Sequence, residues 1–439
     1  MYVKRKIMND LIKWKNNEAH IPLILRGARG VGKTYILKEF GEKYYKNIAY
    51  FNFESDKSLY RIFENSKDLD SILEQLSCVD GTEIEKENTL IIFDEIQECW
   101  DALFALKYFS KESSYHVVGA CSFYPLRISQ ISFNIAKVLA YADFLNLYPM
   151  TFSEFLVADG CENLVEFMKS IHSIENIPKL FEDMLIEKLK IYFIVGGMPE
   201  VVYSWVNEKD IGKVNDIQKN ILDSYSRDFL KCTKENQATK ISLIWNDTPM
   251  RLTKEKKNFI YQDTDYANII KEEDAINWLS DSHLIYKIYN ITNNDFPIIK
   301  YSDLEALKLD DIKIYINDIG LLRRMSNLDS RIIIEGNKMF EEFNGAFTEN
   351  YVCHALTTLF DNSLSYFTFD RNEIDFVIEY KNEIIPIEVK SNKNNNSLIK
   401  YSDKYNFHKC LIFSINNLKK DGAIINVPLY FIEYIDNIL

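Results

Sequence analysis

The first 150 residues alternate short apolar runs with amphipathic stretches. The apolar runs predict five strands, at Ile21–Leu25, Ile48–Phe53, Leu90–Phe93, Tyr115–Gly119 and Val138–Leu145. Helical patterns separate most of these runs. Strands that alternate with helices form a parallel, doubly wound sheet, and such sheets bind ligands at the carboxyl ends of their strands. We therefore expect an α/β fold whose functional residues directly follow the strands.

After Met150 the pattern becomes helical, and Gly196-Gly197-Met198-Pro199 interrupts it with a fixed turn. From about residue 237 to residue 330 the pattern is helix, helix and strand, which is the order of a winged-helix unit. From about residue 336 a helix, Phe340–Phe360, precedes a last group of strands. These strands are predicted at Leu364–Phe369, Ile374–Tyr380, Ile384–Val389 and Cys410–Ser414. The chain is thus predicted to have four parts, at residues 1–150, 151–235, 236–335 and 336–439.

Composition narrows the class of protein. The chain has 439 residues, a net charge of −13 and 47% hydrophobic residues, so it can build several buried cores. No apolar stretch approaches the roughly 20 residues that span a bilayer, and we expect no membrane contact. The seven cysteines are scattered without a C-x-x-C pair. This spacing argues against a disulfide framework or a zinc site and predicts a reducing, cytoplasmic location.

The first apolar run leads into a glycine-rich phosphate-binding motif, Gly27-Ala28-Arg29-Gly30-Val31-Gly32-Lys33-Thr34. Glycines let the backbone approach phosphate oxygens closely, and the N-terminus of the next helix adds its positive dipole end. Lys33 would reach the β- and γ-phosphates, and the Thr34 hydroxyl would bind Mg²⁺. We expect these eight residues, together with Tyr35 in the following helix, to bind ATP.

A second, acidic motif supports nucleotide chemistry. The third apolar run is followed by Asp94 and Glu95. In phosphate-loop enzymes an aspartate at this position binds Mg²⁺, and a glutamate after it can take a proton from the attacking water. We predict Asp94 and Thr34 as metal ligands, and Lys33 and Glu95 as catalytic residues. Ser122, after the fourth strand, is either a polar sensor of the γ-phosphate or an ordinary capping or loop serine.

The C-terminal part carries a separate set of acids and a lysine. Asp375 lies on one predicted strand, and Glu388 and Lys390 follow on the next, after a short turn at Lys381-Asn382. A hairpin could bring the two carboxylates together to bind Mg²⁺, with Lys390 on the same strand face as Glu388 for catalysis on a phosphodiester. Glu349 on the preceding helix could add a ligand. The equal alternative is a pair of solvated edge strands.

Positive charge is concentrated between residues 381 and 420. Eight lysines outnumber three acids there, a local net charge of +5 on an otherwise acidic chain. Such a patch can contact the phosphate backbone of DNA or RNA. The equal alternative is a set of ordinary solvated loop lysines. The eight are Lys381, Lys390, Lys393, Lys400, Lys404, Lys409, Lys419 and Lys420.

Together these motifs resemble those of prokaryotic ATPases of the AAA superfamily whose C-terminal domain, of unknown function, has a restriction-endonuclease-like fold. The resemblance implies Mg²⁺-dependent ATP hydrolysis, a helical lid at 151–235, a winged-helix-like domain at 236–335 and an endonuclease-like domain at 336–439. It also implies that the turn at Pro199 packs near the adenine. The residues that carry it, besides the phosphate-binding motif, are Phe93-Asp94-Glu95-Ile96-Gln97, Tyr148-Pro149-Met150-Thr151-Phe152-Ser153-Glu154-Phe155, Gly196-Gly197-Met198-Pro199, Asp375, Glu388 and Lys390.

The same resemblance implies an ATP-dependent homo-oligomer in which a neighbouring subunit supplies an arginine to the site. Arg227 is the candidate, and the alternative is a surface ion pair with Asp223. Relatives have Gly-Ser after the fourth strand, where this chain has Gly119-Ala120-Cys121-Ser122. Two functions stay open. One is an ATPase that couples ATP to nucleic-acid binding or processing, and the other is a regulatory ATPase switch with an inactive C-terminal interaction module.

Overall fold

The computed structural model of the chain describes two compact units. The first comprises Lys4–Tyr148 and Asp281–His283, and the second comprises Pro149–Ser280 and Leu284–Leu439. No helix among the described residues is long and apolar enough to cross a membrane. Within these units the described residues are 4–65, 68–122, 140–230, 235–252, 259–260, 266–291, 307–330, 345–360, 364–369, 372–390, 398, 402, 404–405 and 407–439.

A five-stranded parallel sheet in the order β2-β3-β4-β1-β5 forms the centre of the first unit and confirms the predicted α/β fold with a parallel sheet. Its strands are β1 (Leu23–Arg26), β2 (Asn47–Asn52), β3 (Thr89–Asp94), β4 (His116–Cys121) and β5 (Asp143–Asn146). β3 and β4 are inner strands buried at every residue, which explains their nearly continuous apolar sequences. β5 begins later than predicted, and residues 138–139 lie outside the described residues.

Helices connect the strands of the first unit. They are α1 (Met8–Lys15), α2 (Lys33–Tyr44), α3 (Tyr60–Asn65), α4 (Leu69–Asp80) and α5 (Trp100–Phe109). Asp68 caps α4 by accepting a hydrogen bond from the Ser71 N–H (2.9 Å), and Gly81 ends it with a φ of +72°. The rings of Phe53 and Phe109 pack 5.7 and 6.0 Å from the ring of Phe93 in the core of this unit.

The second unit begins with a run of helices, as predicted from the sequence pattern after Met150. Thr151 and Glu154 form a capping box at the start of the first of them, because each backbone N–H bonds the other's side chain. The described helices are α6 (Phe152–Ala158), α7 (Glu162–Lys169), α8 (Lys179–Val195), α9 (Pro199–Glu208), α10 (Ile211–Phe229), α11 (Glu235–Leu252), α12 (Tyr266–Asp281, all but its last residue), α13 (Ile319–Met325) and α14 (Ala346–Phe360).

The predicted Gly-Gly-X-Pro turn separates α8 from α9. Gly196 has a φ of +74°, and Pro199 is the first residue of α9. Gly197 lies so close to Met150 that a Cβ at this position would be 2.1 Å from the Met150 carbonyl oxygen. The buried Asp318, at the start of α13, accepts a hydrogen bond from the Gly197 N–H (2.6 Å). The turn is therefore fixed by the small size of glycine and by a buried carboxylate.

A mixed sheet of nine described strands, in the order β13-β14-β12-β11-β10-β9-β7-β8-β6, forms the rest of the second unit. β7 pairs with β8 and also with β9, where Tyr289 lies beside Ser365. The four-part division of the chain stays a prediction, but a boundary between residues 335 and 336 would fall inside this sheet. The strands are β6 (Phe259–Ile260), β7 (Ile285–Ile291), β8 (Leu307–Ile316), β9 (Ser365–Phe369), β10 (Asn372–Tyr380), β11 (Glu383–Val389), β12 (Cys410–Ser414), β13 (Lys419–Asp421) and β14 (Ile424–Pro428).

The predicted C-terminal hairpin is present. β10 and β11 are antiparallel neighbours, and Tyr380 pairs with Glu383 across the turn. Lys381 and Asn382 connect them with φ angles of +48° and +66°. Two left-handed residues in succession give a turn whose twist matches that of the two strands.

Candidate functional site

The glycine-rich loop at residues 27–34 joins β1 to α2 at the carboxyl edge of the first unit's sheet. Gly30 and Gly32 have φ angles of +86° and +94°, which favour glycine. A Cβ at Gly27 would lie 2.2 Å from the carbonyl oxygen of Leu147. All three glycines are therefore required by the local backbone. A loop of this kind before a helix N-terminus suits the binding of phosphate.

Lys33 is the first residue of α2 and is buried within the loop. Its Nζ donates to the carbonyl oxygens of Gly27 (2.8 Å) and Ala28 (3.1 Å). Burial lowers the pKa of Lys33, and the nearby carboxylates of Glu95 and Asp94 oppose this shift. A buried ammonium group held by carbonyl oxygens alone is poised to accept a more strongly charged partner such as phosphate.

Asp94, the last residue of β3, is the centre of a hydrogen-bonded group. Its Oδ2 accepts hydrogen bonds from the hydroxyls of Thr34 (2.8 Å) and Tyr50 (2.6 Å) and from the amide of Asn52 (3.3 Å). The predicted metal ligands Thr34 and Asp94 are therefore adjacent. Burial, with a smaller effect of the bond to Asp94, raises the pKa of Tyr50 to about 12, so its hydroxyl stays protonated as a donor at neutral pH.

Sequence reasoning missed Tyr50 and Asn52. Both lie on β2, which pairs in parallel with β3 in a register that places Asn52 beside Asp94. The available signal was the polar end of the second predicted strand, because parallel strands end at the same edge of a sheet. Using it required the strand order, which a sequence pattern does not contain.

Glu95 follows β3 with a φ of +50°, an uncommon value for a residue other than glycine. Its carboxylate accepts hydrogen bonds from the Ser122 hydroxyl (2.8 Å) and the Gln97 amide (2.6 Å). Ser122 comes directly after β4, which lies between β1 and β3. Ser122 thus has a side-chain partner in the site, and its role as a sensor of the γ-phosphate stays a prediction. Gln97 also belongs to the site, although the motif analysis assigned no chemical role to it.

The other loop residues differ in exposure. Ala28 and Val31 are buried and support the loop from within. Tyr35 is 54% exposed, and the Arg29 guanidinium lies 3.4 Å from the Glu54 carboxylate. These positions leave Tyr35 and Arg29 accessible to a ligand from solvent.

Two of the residues predicted to serve an ATP site lie in the second unit. Pro199 begins α9, and Arg227 is exposed in the last turn of α10. The alternative for Arg227, an ion pair with Asp223, is not among the contacts of the described residues. The roles of Pro199 near the adenine and of Arg227 in a neighbouring subunit's site stay predictions.

Residues 19–156 match a family model described as an AAA domain, and the match includes the glycine-rich loop, Asp94, Glu95 and all five strands. This part of the chain is an AAA-type domain. Two further family models match residues 186–331 and 344–430, and both describe domains of unknown function. No curated protein matches the chain. The winged-helix-like and endonuclease-like classes of the second unit stay predictions.

The chain also has distant similarity to several solved structures. The Walker-type ATPase paby2304 of Pyrococcus abyssi is 12% identical over 74% of this chain and 96% of that chain, with a TM-score of 0.40. AMPPCP-bound DnaA from Aquifex aeolicus is 13% identical, over 64% and 88%, with a TM-score of 0.31. The Aeropyrum pernix ORC1 protein in complex with DNA is 12% identical, over 74% and 91%, with a TM-score of 0.25. The AAA-type assignment therefore rests on the domain match and not on these low scores.

In the second unit the hairpin brings Asp375 and Glu388 onto neighbouring strands. The Val389 N–H donates to the Asp375 carboxylate (2.8 Å), and the buried Glu388 forms an ion pair with Lys390 (2.8 Å). No group of three or more His, Cys, Asp or Glu side chains in the described part of the chain is arranged to hold a metal ion. The metal role of Asp375 and Glu388 and the catalytic role of Lys390 stay predictions.

Lys313 on β8 lies close to two other carboxylates of this unit, Glu373 and Glu349, and sequence reasoning missed it. Its side chain is 1% exposed, and its Nζ lies 2.5 Å from Glu373 and 3.6 Å from Glu349. The Tyr315 hydroxyl also donates to Glu349. Burial lowers the pKa of Lys313, but Glu349, Glu373 and Asp375 outweigh this effect, so the pKa is raised and the ammonium stays charged. Glu349, the predicted additional metal ligand, is thus already engaged by Lys313 and Tyr315.

The predicted basic patch is exposed only in part. Lys390 is paired with Glu388, and Lys409 donates to the Leu439 carbonyl oxygen (2.7 Å). Two more of its lysines, at positions 393 and 400, lie outside the described residues. The lysines described as exposed are Lys381, Lys404, Lys419 and Lys420.

Proposed function

We propose that the AAA-type domain binds ATP with Mg²⁺ and hydrolyses it. The observation that carries this proposal is that buried Lys33, the Thr34–Asp94 pair and Glu95 converge at one edge of the sheet. The residues fit the ion, because a hydroxyl and a carboxylate oxygen 2.8 Å apart are ligands that Mg²⁺ takes together with water and phosphate oxygens.

Binding of Mg²⁺-ATP and compensation of its phosphate charge depend on Lys33, Thr34 and Asp94. Lys33 moves from the loop carbonyls to the β- and γ-phosphates, where its charge offsets theirs. Thr34 and Asp94 hold Mg²⁺, which when bound neutralises charge on the phosphates. Tyr50 and Asn52 keep the Asp94 carboxylate in position through hydrogen bonds to its Oδ2.

Proton transfer falls to Glu95. Its carboxylate takes the proton of the water that attacks the γ-phosphate, so it must be ionised and correctly aimed. Ser122 and Gln97 restrict its orientation by donating one hydrogen bond to each carboxylate oxygen. They are positioning residues in this proposal.

Phosphate release from ATP tests the proposal, with Mg²⁺ and with EDTA. We expect the wild type to hydrolyse ATP with Mg²⁺ and not with EDTA. Lys33→Ala should not hydrolyse ATP under either condition, because the phosphates lose their fixed counter-charge. Lys43→Ala is the matched control, since Lys43 lies near the far end of the same helix and pairs with Glu39 (2.7 Å). Hydrolysis by Lys33→Ala at the wild-type rate would contradict the proposal.

We further propose that nucleic acid binds through the exposed lysines of the second unit and is coupled to ATP. The support is the local excess of lysine between residues 381 and 420. DNA or RNA should then stimulate ATP hydrolysis. A Lys419→Ala, Lys420→Ala double variant should bind nucleic acid more weakly. The slope of the logarithm of its binding constant against the logarithm of salt concentration should also become shallower, by roughly one unit for each phosphate contact that is lost. Binding and hydrolysis that do not respond to DNA or RNA would oppose this coupling.

A second candidate function is a regulatory ATPase switch whose C-terminal domain is an inactive interaction module. The observation that favours it is the engagement of Glu349 by Lys313. Incubation of DNA and RNA with the protein and Mn²⁺ separates the candidates. Cleavage of DNA or RNA by the wild type, lost in Asp375→Ala and in Lys390→Ala, favours nucleic-acid processing. If the protein hydrolyses ATP but leaves the DNA and RNA uncut, the regulatory switch is favoured.

A further inference from the structure

We propose that the Lys313 ammonium group is a built-in cation of the second unit that takes the place of a divalent metal ion among Glu349, Glu373 and Asp375. The cluster then works without metal, and the unit that contains it acts as a binding module. This inference goes beyond ATP hydrolysis, and it concerns residues of the second unit alone.

The position of Lys313 is the first line of evidence. Its Nζ lies between two carboxylates from different elements, Glu373 of β10 (2.5 Å) and Glu349 of α14 (3.6 Å). The Tyr366 ring lies 4.8 Å from the same Nζ and offers its negative face to the cation. The lysine therefore joins elements that the sequence pattern assigned to a metal site.

Burial makes the lysine and the carboxylates depend on one another. The Lys313 side chain is 1% exposed and that of Glu349 is 5% exposed. Burying an ammonium group costs free energy unless nearby carboxylates compensate its charge. Burying a carboxylate likewise costs free energy unless a nearby cation compensates it. Loss of Lys313 alone leaves Glu349 and Glu373 without their shared cation, which is the condition that a divalent ion would satisfy.

Other protein donors also contact oxygens of the cluster, and one of them shares Glu349 Oε1 with Lys313. Glu349 accepts the Tyr315 hydroxyl, and Asp375 accepts the Val389 N–H (2.8 Å). Mg²⁺ requires oxygen ligands at about 2.0–2.1 Å in near-octahedral geometry. An ion that binds Glu349 Oε1 and Glu373 Oε1 would have to displace a lysine whose side chain is 1% exposed. The observed contacts thus favour the ammonium over a metal ion.

The number of Mn²⁺ ions bound by the full chain without nucleotide tests the proposal. We expect wild type and Asp375→Ala to bind the same number, because neither uses this cluster for metal. Lys313→Ala should bind one more ion and recover part of its lost melting temperature when Mn²⁺ is added. A Lys313→Ala, Asp375→Ala double variant should lose that extra ion. Any Mn²⁺ held by the AAA-type domain is common to all these proteins and cancels in the comparison.

Lys409→Ala is the matched control, because Lys409 is a half-exposed lysine 3.8 Å from Glu383 and should not yield a metal site when removed. If Lys313→Ala does not fold, a Lys313→Met, Glu349→Gln, Glu373→Gln variant removes the cation together with its counter-charges. This variant should fold and bind as many Mn²⁺ ions as wild type.

Two results overturn the proposal. One is a wild type that binds one more Mn²⁺ than Asp375→Ala, and the other is a folded Lys313→Ala that gains no ion. ATP hydrolysis is measured on the same wild-type sample. Its failure would count against the proposed ATPase and would leave the Mn²⁺ counts as they are.

Discussion

Replacing Tyr50 with phenylalanine tests whether the hydrogen-bonded group around Asp94 holds the metal-binding carboxylate. The substitution removes a hydroxyl and keeps the ring, which contacts the Lys38 Nζ at 3.7 Å. The lost bond to Asp94 is 2.6 Å long, and bonds to charged groups contribute about 1.5–3 kcal/mol. Tyr50 is half-buried, and Asp94 keeps its hydrogen bonds from Thr34 and Asn52. We therefore expect the lost bond to contribute at the low end of this range, about 1.5 kcal/mol. That value corresponds to a roughly tenfold weaker affinity for Mg²⁺-ATP.

Tyr45→Phe is the matched control for this experiment. The Tyr45 hydroxyl contacts His116 Nδ1 (2.8 Å) at the amino end of β4, the opposite edge of the same sheet. Urea unfolding should show that both variants lower the free energy of unfolding. Titration with a fluorescent ATP analogue, with Mg²⁺ and with EDTA, should show weaker Mg²⁺-dependent binding for Tyr50→Phe and unchanged binding for Tyr45→Phe. Equal affinities of the two variants would refute the support that we assign to Tyr50.

Two predictions concern the turn in the second unit. Gly197→Ala should lower the free energy of unfolding by about 3 kcal/mol, because its Cβ would lie 2.1 Å from the Met150 carbonyl oxygen. The control Gly212→Ala, whose Cβ would have no contact nearer than 3.1 Å, should change this free energy by less than about 1 kcal/mol. Equal effects of the two variants in urea unfolding would contradict this prediction. Burial raises the pKa of Asp318 from 3.8 to about 6, so its stabilising contribution is full below pH 3.8 and is lost as the pH rises through 6. Relative to Asp318→Asn, the wild type should therefore lose up to about 3 kcal/mol between pH 4 and pH 7, and a difference that does not change with pH would oppose the assignment.

Local motifs made the AAA-type domain predictable. The glycine pattern fixes a loop whose backbone angles only glycine adopts easily, and the apolar runs of β3 and β4 belong to buried inner strands. Strand order is a property of the whole sheet, so the pairing of β2 with β3 could not be predicted. For that reason Tyr50 and Asn52 were missed although both contact Asp94.

The second unit was harder to predict because its decisive contacts join distant residues. The pairing of Tyr289 with Ser365 places strands from two predicted domains in one sheet. Lys313 occurs in an alternating Lys-Ile-Tyr-Ile pattern, which is typical of a strand with one solvent-facing side. Its face is instead covered by α14, which supplies Glu349. A lysine buried by tertiary packing has no signature in its own neighbourhood of the chain.

Binding and turnover of ATP by Glu95→Gln test the central claim, hydrolysis with Glu95 as proton acceptor, most directly. We predict that Glu95→Gln binds Mg²⁺-ATP within a few-fold of wild type, because Lys33, Thr34 and Asp94 are untouched. Phosphate release should fall by roughly 10²–10⁴-fold, because an amide cannot accept the proton of the attacking water. Wild-type phosphate release by Glu95→Gln would contradict the claim.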